Sequence, residues 1–313
     1  MLVVLAAASL FGTLGTLSRI AYDAGLTPFA WVAWRAAVGA IALWVVIARR
    51  RGPRSTLDGL RSASSTERAW LGLAVVAGAL LNLSMFVAFQ RMAIAIALLA
   101  FYTYPAMVAA ASAVLGHERL DASRVAALGL AIVGMVAVVV GGLGADAQGA
   151  AVAVDALGIG LALVAALCQT VFVVANRGYA RVRTEEAMGS ILVGSAAIAV
   201  VVTLLFEGPA ALAQPLGSPQ LLVLLGAVGL FAAALPSFMF LTGIRRLGGV
   251  RAGILMLFEP VVGVALAAAV LGEAITPLQA AGGATILAAA IIVQRRPGVR
   301  EATAPVVPAP GGP

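Results

Sequence analysis

Ten apolar segments of roughly 17–23 residues, each long enough to cross a bilayer as a helix, follow one another along this chain of 313 residues. These segments constrain the fold more than any single motif does, because a chain in lipid must satisfy its backbone polar groups internally. We predict an all-α integral membrane protein with ten transmembrane helices, numbered here as spans 1 to 10. Their predicted bounds are 2–20, 29–48, 70–90, 93–115, 122–140, 156–176, 187–206, 221–242, 250–271 and 277–293.

The composition supports a membrane location and excludes several classes of protein. Hydrophobic residues make up 62% of the chain and charged residues 11%, and the mean hydropathy is +1.07. All 20 basic residues are arginines, so a P-loop ATPase or a pyridoxal enzyme, each of which needs a lysine, is excluded. A single histidine, His117, and a single cysteine, Cys168, cannot form a His/Cys metal site or an internal disulfide. We therefore expect no metal and no other cofactor.

The arginines are distributed unevenly between the loops. Seventeen of the 20 lie in or beside the loops after the even-numbered spans and in the C-terminal tail, and the loops after spans 5, 7 and 9 have none. Because basic loops stay on the cytoplasmic side, we predict a multi-pass protein of the cytoplasmic (inner) membrane with both termini in the cytoplasm. The net charge of +7 then indicates topology, and we expect no nucleic-acid partner. The Pro- and Ala-rich tail, 295–313, is predicted to be disordered.

The two halves of the chain repeat each other at an offset of about 155 residues. Each predicted half, 1–145 and 146–294, holds five spans, and because five is odd the second half enters the membrane from the opposite side. Two inverted repeats with a solute site between them near the midplane are typical of transporters. The aligned positions are Tyr104-Pro105 with Glu259-Pro260, Gly116-His117-Glu118 with Gly272-Glu273, and Asp121 with Thr276.

Several motifs carry a family resemblance. They are Phe11-Gly12, Trp34-Arg35, Tyr104-Pro105, Gly116-His117-Glu118 and Gly134 in the first half, and Glu259-Pro260, Gly272-Glu273, Gln279 and Gly282 in the second. Together they resemble the EamA-type branch of the drug/metabolite transporter superfamily over about residues 5 to 294. The resemblance implies a cytoplasmic-membrane carrier of small metabolites, often an exporter. Two positions depart from it: Phe11 stands where the family often has Trp, and Leu192 is aligned with Arg35, so the two half-sites are chemically unequal.

Two ionisable residues lie within the predicted spans and are therefore candidates for function. At 1.5 Å per residue, Arg35 lies roughly 9 Å below the outer end of span 2 and Glu259 roughly 18 Å below that of span 9. Pro260 is expected to kink span 9 and to free the carbonyl of Met256 beside the carboxylate, which would suit a cation or proton. Two alternatives stay open: a protonated Glu259 that bonds a neighbouring helix, or an Arg35–Glu259 pair that joins the halves.

Uncharged polar and aromatic residues complete the predicted site. They share helical faces, and such groups could bind an amphipathic solute. The alternative is that they form hydrogen bonds between helices or sit at the headgroup belt. The predicted substrate-binding residues are Trp31, Arg35, Asn82, Phe86, Gln90, Tyr102, Gln169, Phe172, Asn176 and Glu259, with Glu259 also as the coupling residue. For Glu118 and Glu273 we favour a structural role near the positive end of the following helix.

These features predict a secondary transporter, not an enzyme, that moves a small organic solute by alternating access. Proton coupling through Glu259, facilitated diffusion and exchange are all compatible with the sequence. The alternatives are an integral-membrane enzyme that acts on a lipid-linked substrate, for which we find no paired catalytic acids or metal site, and a membrane scaffold without transport. The expected partners are a small-molecule substrate and membrane lipid, and the sequence does not indicate an oligomeric state.

Overall fold

The computed structural model describes residues 1–51, 58–116, 121–145, 155–271 and 275–295, and within these ranges all regular structure is helical. Nine of the described helical segments are long and apolar enough to cross a membrane, and the shorter apolar helix Pro277–Val293 is the tenth. The prediction of an all-α membrane protein is confirmed, and the described residues support the count of ten. The predictions for Glu118, for Glu273 and for the tail beyond residue 295 fall outside the described residues.

Several of the spans consist of more than one helix. Span 1 is formed by α1 and α2, span 4 by α6 and α7, span 8 by α12 and α13, and span 9 by α14 and α15, whereas α4 and α11 are short loop helices. The helices are α1 Leu2–Phe11, α2 Leu14–Asp23, α3 Pro28–Arg51, α4 Asp58–Ser62, α5 Ser65–Arg91, α6 Ile94–Phe101, α7 Tyr104–Val114, α8 Ala122–Ala145, α9 Ala156–Ala175, α10 Thr184–Phe206, α11 Pro209–Ala213, α12 Pro219–Val228, α13 Leu235–Leu247, α14 Gly249–Met256, α15 Glu259–Leu271 and α16 Pro277–Arg295. A 3₁₀ turn, Asn176–Tyr179, follows α9, and a π-helical turn, Gly229–Ala234, joins α12 to α13.

Spans 4 and 9 are interrupted at equivalent positions. In each span two residues separate the two helices, and the second helix starts at Tyr104 in span 4 and at Glu259 in span 9, with a proline as the next residue. Proline lacks the N–H that a continuous helix would need there, but it is well tolerated in the first turn of a new helix. In span 9 the interruption at Leu257–Phe258 lies just before Pro260, where the sequence predicted a kink. Half-helices that meet near the midplane are a feature of transporter binding sites.

The two halves pack against each other in the pattern that a two-fold axis in the membrane plane would produce. Span 5 packs along span 10, and span 2 packs along span 7. The first span of each half packs against the third span of the other half, so that α1 contacts α13 and α9 contacts α5. Each repeat therefore buries its apolar surface mainly against the other, and the space between the repeats lies in the middle of the molecule.

Glycines allow the backbones of spans 5 and 10 to approach closely. A Cβ on Gly134 would lie 2.7 Å from the carbonyl oxygen of Gly282, which is shorter than a real contact permits. Small residues at such crossings are typical of membrane helices, because lipid provides no hydrophobic drive for association and close packing must replace it. Gly134 and Gly282 are both residues of the family motif, and the structure gives them a packing role.

Spans 5 and 10 begin at side-chain N-caps in equivalent positions of the two repeats. The backbone N–H of Arg124 donates to Asp121 Oδ1 at 2.8 Å, and that of Gln279 donates to Thr276 Oγ1 at 3.2 Å. In span 10 the Gln279 side chain also accepts from the Thr276 N–H at 2.9 Å, which completes a capping box. These caps satisfy backbone groups that would otherwise be unpaired at the membrane surface.

Candidate functional site

A cavity of about 670 Å³ lies between the two repeats, and residues from all ten spans line it. It passes the breaks in spans 1, 4 and 9, where Gly12, Tyr104, Glu259 and Pro260 contribute to its wall. A volume of this size is typical of a site for a small organic molecule.

The cavity wall extends to the helix ends on one side of the molecule. Arg19, Ala93, Gly142 and Gln279 line it at the ends of spans 1, 4, 5 and 10 that lie away from the arginine-rich loops. In the opposite direction the lining ends at Phe240 in span 8, about 10 Å before that helix ends, and at Phe172 and Met188 in spans 6 and 7, about 5–6 Å from the ends of those helices. The wall thus reaches closer to the helix ends away from the arginine-rich loops than to those beside them.

Arg35 projects from span 2 and is only 5% exposed. Its Nη1 donates to the backbone carbonyl of Ala232 at 3.4 Å, and its Nη2 donates to Asn82 Oδ1. The guanidinium carbon lies 4.7 Å from the centre of the Phe86 ring, a cation–π arrangement. Asn82 is itself oriented by a bond from its Nδ2 to the carbonyl of Gly78 at 2.7 Å. Arg35 and Glu259 form no ion pair, so that alternative is wrong.

Glu259 begins α15 and is partly exposed to the cavity. The phenol groups of Tyr102 and Tyr104 lie within electrostatic range of its carboxylate. Tyr102 is 1% exposed, and its hydroxyl forms no hydrogen bond of good geometry. Span 1 approaches from the other side, since a Cβ on Gly12 would lie 2.9 Å from the carbonyl oxygen of Glu259. The carboxylate is therefore placed where three broken spans meet.

Arg245 links three spans on the arginine-rich side of the molecule. From α13 its Nε donates to Asn176 Oδ1 at 2.9 Å, its Nη1 to the carbonyl of Val182 at 2.6 Å and to Thr184 Oγ1 at 3.1 Å. Its Nη2 donates to the backbone carbonyl of Tyr179 at 3.3 Å, and the guanidinium carbon lies 5.6 Å from the centre of the Tyr179 ring. One side chain thus ties span 8 to the connection between spans 6 and 7. We call this cluster the Arg245 latch.

The structure brings together some of the residues predicted for the site and separates others. Six line the cavity: Arg35, Asn82, Phe86, Gln169, Phe172 and Glu259. Four do not: Trp31, Gln90, Tyr102 and Asn176. Trp31 is fully buried and packs edge-on against Phe86, with ring centres 6.1 Å apart. Gln90 is exposed at the end of span 3, Tyr102 lies behind the wall beside Glu259, and Asn176 belongs to the Arg245 latch.

Sequence reasoning missed several residues of the cavity wall. Arg19, which is exposed, lies at the end of span 1 and was one of the three arginines outside the even-numbered loops. Gln279 was identified only through the family motif. Others are uncharged serines and aromatics without a distinguishing sequence signal: Phe89, Phe101, Ser195, Ser237 and Phe240.

Comparisons with known proteins support the same class of protein. The model of the EamA-like transporter family matches residues 1–140 and again 156–295, which is one match for each repeat. Among 29 matching chains of solved structures, one crystal structure has a TM-score of 0.76 at 23% identity, with 94% of this chain and 96% of the other covered. That identity establishes a shared fold alone. A comparison with curated protein sequences gave no significant match.

The ten spans, the two repeats and the cavity between them define a polytopic membrane protein of the transporter type. The chain belongs to the EamA-like transporter family, within the drug/metabolite transporter superfamily. Members of this family are transporters and not enzymes.

Proposed function

We propose that this protein is a secondary transporter that exports a small organic solute across the cytoplasmic membrane by alternating access. The observation that carries the proposal is the cavity between the inverted repeats, which is lined by the interrupted helices of spans 4 and 9. Two repeats of similar structure can exchange roles, so that one arrangement opens the cavity outward and the other opens it inward.

The Arg245 latch supports a gated cycle. If the arginine-rich loops are cytoplasmic, the structure corresponds to an outward-open state in which the latch holds the cytoplasmic side closed. Each hydrogen bond to its guanidinium must break before spans 6, 7 and 8 can separate. A local set of charged hydrogen bonds of this kind can stabilise one of two states without affecting the rest of the fold.

Solute flux in proteoliposomes tests the proposal directly. We would first screen purified protein for small organic solutes that raise its melting temperature, and then measure uptake and exchange of the best ligands in sealed vesicles. We expect saturable flux that empty vesicles and heat-denatured protein lack. Ligand turnover without translocation would favour the membrane enzyme, and binding without flux or turnover would favour the scaffold.

A further inference from the structure

Arg35 carries a positive charge within the membrane that no carboxylate of the described chain neutralises. The guanidinium contacts the amide oxygen of Asn82, the backbone carbonyl of Ala232 and the ring face of Phe86. The uncharged phenol of Tyr22 lies nearby. These neutral groups stabilise a guanidinium only in part, and a buried charge without a counterion is costly. Natural proteins usually bury such a charge in a pair, so the site lacks an anion.

The guanidinium also retains unused donors. Arginine has five N–H groups, and the recorded hydrogen bonds of Arg35 occupy Nη1 and Nη2 while its Nε has no partner. The Phe86 ring covers one face of the group and Nε is buried, so a ligand from the cavity would pair with the remaining N–H groups of the Nη1–Nη2 fork. Carboxylate, phosphonate and sulfonate groups match this fork through paired, charge-assisted hydrogen bonds.

The net charge of the cavity wall also favours an anionic ligand. Arg19 lies near the cavity mouth and Arg35 lies deeper, whereas Glu259 is the one carboxylate among the described lining residues. Even with Glu259 ionised, the described wall therefore carries an excess of one positive charge. A cavity lined by low-dielectric helices focuses such a field, which attracts anions and raises their local concentration.

The rest of the wall suits an apolar body. Six phenylalanines from several spans contribute to it: Phe11, Phe86, Phe89, Phe101, Phe172 and Phe240. We propose that the ligand of this cavity is an organic monoanion with an apolar body, whose charged group pairs with the Arg35 fork. This inference rests on the proposed function for its transport step, but the binding step can be tested separately.

The test compares acids with their neutral amides on the full-length protein in nanodiscs, at neutral pH and low chloride. The probes are phenylacetate with phenylacetamide, cyclohexanecarboxylate with its carboxamide, and benzenesulfonate with benzenesulfonamide. We expect at least one anion to bind wild type at least tenfold more tightly than its amide, as measured by calorimetry or by the shift in melting temperature. Arg35→Lys should keep part of this preference, and Arg35→Gln should lose it.

Asn82→Asp keeps the inference testable if Arg35→Gln does not fold. The new carboxylate would lie against Arg35 as a fixed counterion, so it should raise the melting temperature of the empty protein and abolish the preference for anions. The matched control is Arg61→Gln, which removes an exposed arginine of α4 outside the cavity and should leave the preference unchanged.

Either of two results would overturn the inference. In the first, no probe anion binds wild type more tightly than its amide. In the second, Asn82→Asp retains the preference for anions. The transport proposal fails in a different way. If the anions bind through Arg35 but are not transported, the anion site is supported and the transport proposal is contradicted. If neutral solutes are transported while no anion is preferred, the transport proposal is supported and the anion site is contradicted.

Discussion

Asp155 lies immediately before span 6, where it performs two structural tasks at once. It forms an ion pair with Arg91 at the end of span 3, and it caps α9 through the backbone N–H groups of Leu157 and Gly158, at 3.3 and 3.2 Å. The hydrogen bond from Arg91 lowers the pKa of the Asp155 carboxyl, and the two backbone donors add to the effect. The carboxylate thus joins spans 3 and 6 at the surface away from the arginine-rich loops.

The first prediction concerns the pH dependence of this contact. A carboxyl whose pKa is lower in the folded state stabilises the fold above its unfolded pKa of about 3.9 and loses this effect as pH falls through the folded value. We expect Asp155→Asn to lower the melting temperature in detergent at pH 7, and the difference from wild type to shrink as pH falls below about 4. Asp23→Asn, which changes an exposed aspartate, is the control. A difference that stays constant with pH would contradict the ionic role.

The second prediction concerns Glu259 as a link between transport and pH. Tyr102 and Tyr104 are the titratable groups that face its carboxylate, and the equivalent position of the other repeat holds the neutral Tyr104. If one state of the cycle favours the protonated acid and the other favours the ion, the proton gradient can drive the solute. Glu259→Gln mimics the neutral form, so we expect it to keep exchange and to lose accumulation driven by an imposed proton gradient.

The control for Glu259→Gln is wild type in the same proteoliposomes, which must itself respond to the gradient. Wild-type flux that does not depend on pH, or full proton-driven accumulation by Glu259→Gln, would contradict the coupling role. Glu259 would then be better interpreted as a group that hydrogen-bonds between helices.

At the level of elements, the contact of α8 with α16 depends on glycine. The two helices cross where the backbones of Gly134 and Gly282 meet, and a side chain there would collide with a carbonyl group rather than with a flexible side chain. The crossing joins the fifth span of each repeat and so fixes the two halves relative to each other.

The third prediction uses two glycines of the same helix. We expect Gly134→Ala to destabilise the protein by about 1–3 kcal/mol, because overpacking forces the helices apart. Gly129→Ala is the matched control, since a Cβ there meets nothing within 4 Å, and it should be neutral or stabilise the helix by roughly 0.5–1 kcal/mol. Unfolding in denaturant would measure both. Equal effects of the two substitutions would show that helix propensity, and not the crossing, decides the result.

For the whole molecule, the direction of the cavity depends on topology. Seventeen arginines in the even-numbered loops and tail predict a cytoplasmic tail, so a reporter that works only in the cytoplasm should be active when fused after Arg300 and silent when fused after Asp146. This fourth prediction also tests the orientation of the cavity. The opposite pattern would make the same structure inward-open and would place the Arg245 latch on the outer side.

The fifth prediction concerns the balance between the two states. Ser237→Cys would place a reporter in the cavity after Cys168→Ala removes the native thiol. In this background we expect Arg245→Ala to increase labelling from the cytoplasmic side by at least about tenfold, because hydrogen bonds to a charged group contribute about 1.5–3 kcal/mol. The exposed neighbour Arg246→Ala is the control. Unchanged labelling after Arg245→Ala would show that the latch does not hold the closed side.

The sequence alone determined the number of spans, the repeat and the two intramembrane charges. These features are local, since burial in lipid imposes an apolar length on every crossing and makes a charge within it conspicuous. The family motifs added Gln279, Gly134 and Gly282, although their contacts could not be inferred from spacing.

Only the tertiary structure decided which side chains reach the cavity. The polar residues Asn82, Gln90, Gln169 and Asn176 were all predicted for the site, but only Asn82 and Gln169 line the cavity, because a shared helical face does not indicate how far the cavity extends along each helix. Asn176 lies in a 3₁₀ turn, where the change of pitch rotates it away, and Arg245 binds it from another span. Depth, helix breaks and partners across the repeats depend on the packing of distant segments, which no local pattern encodes.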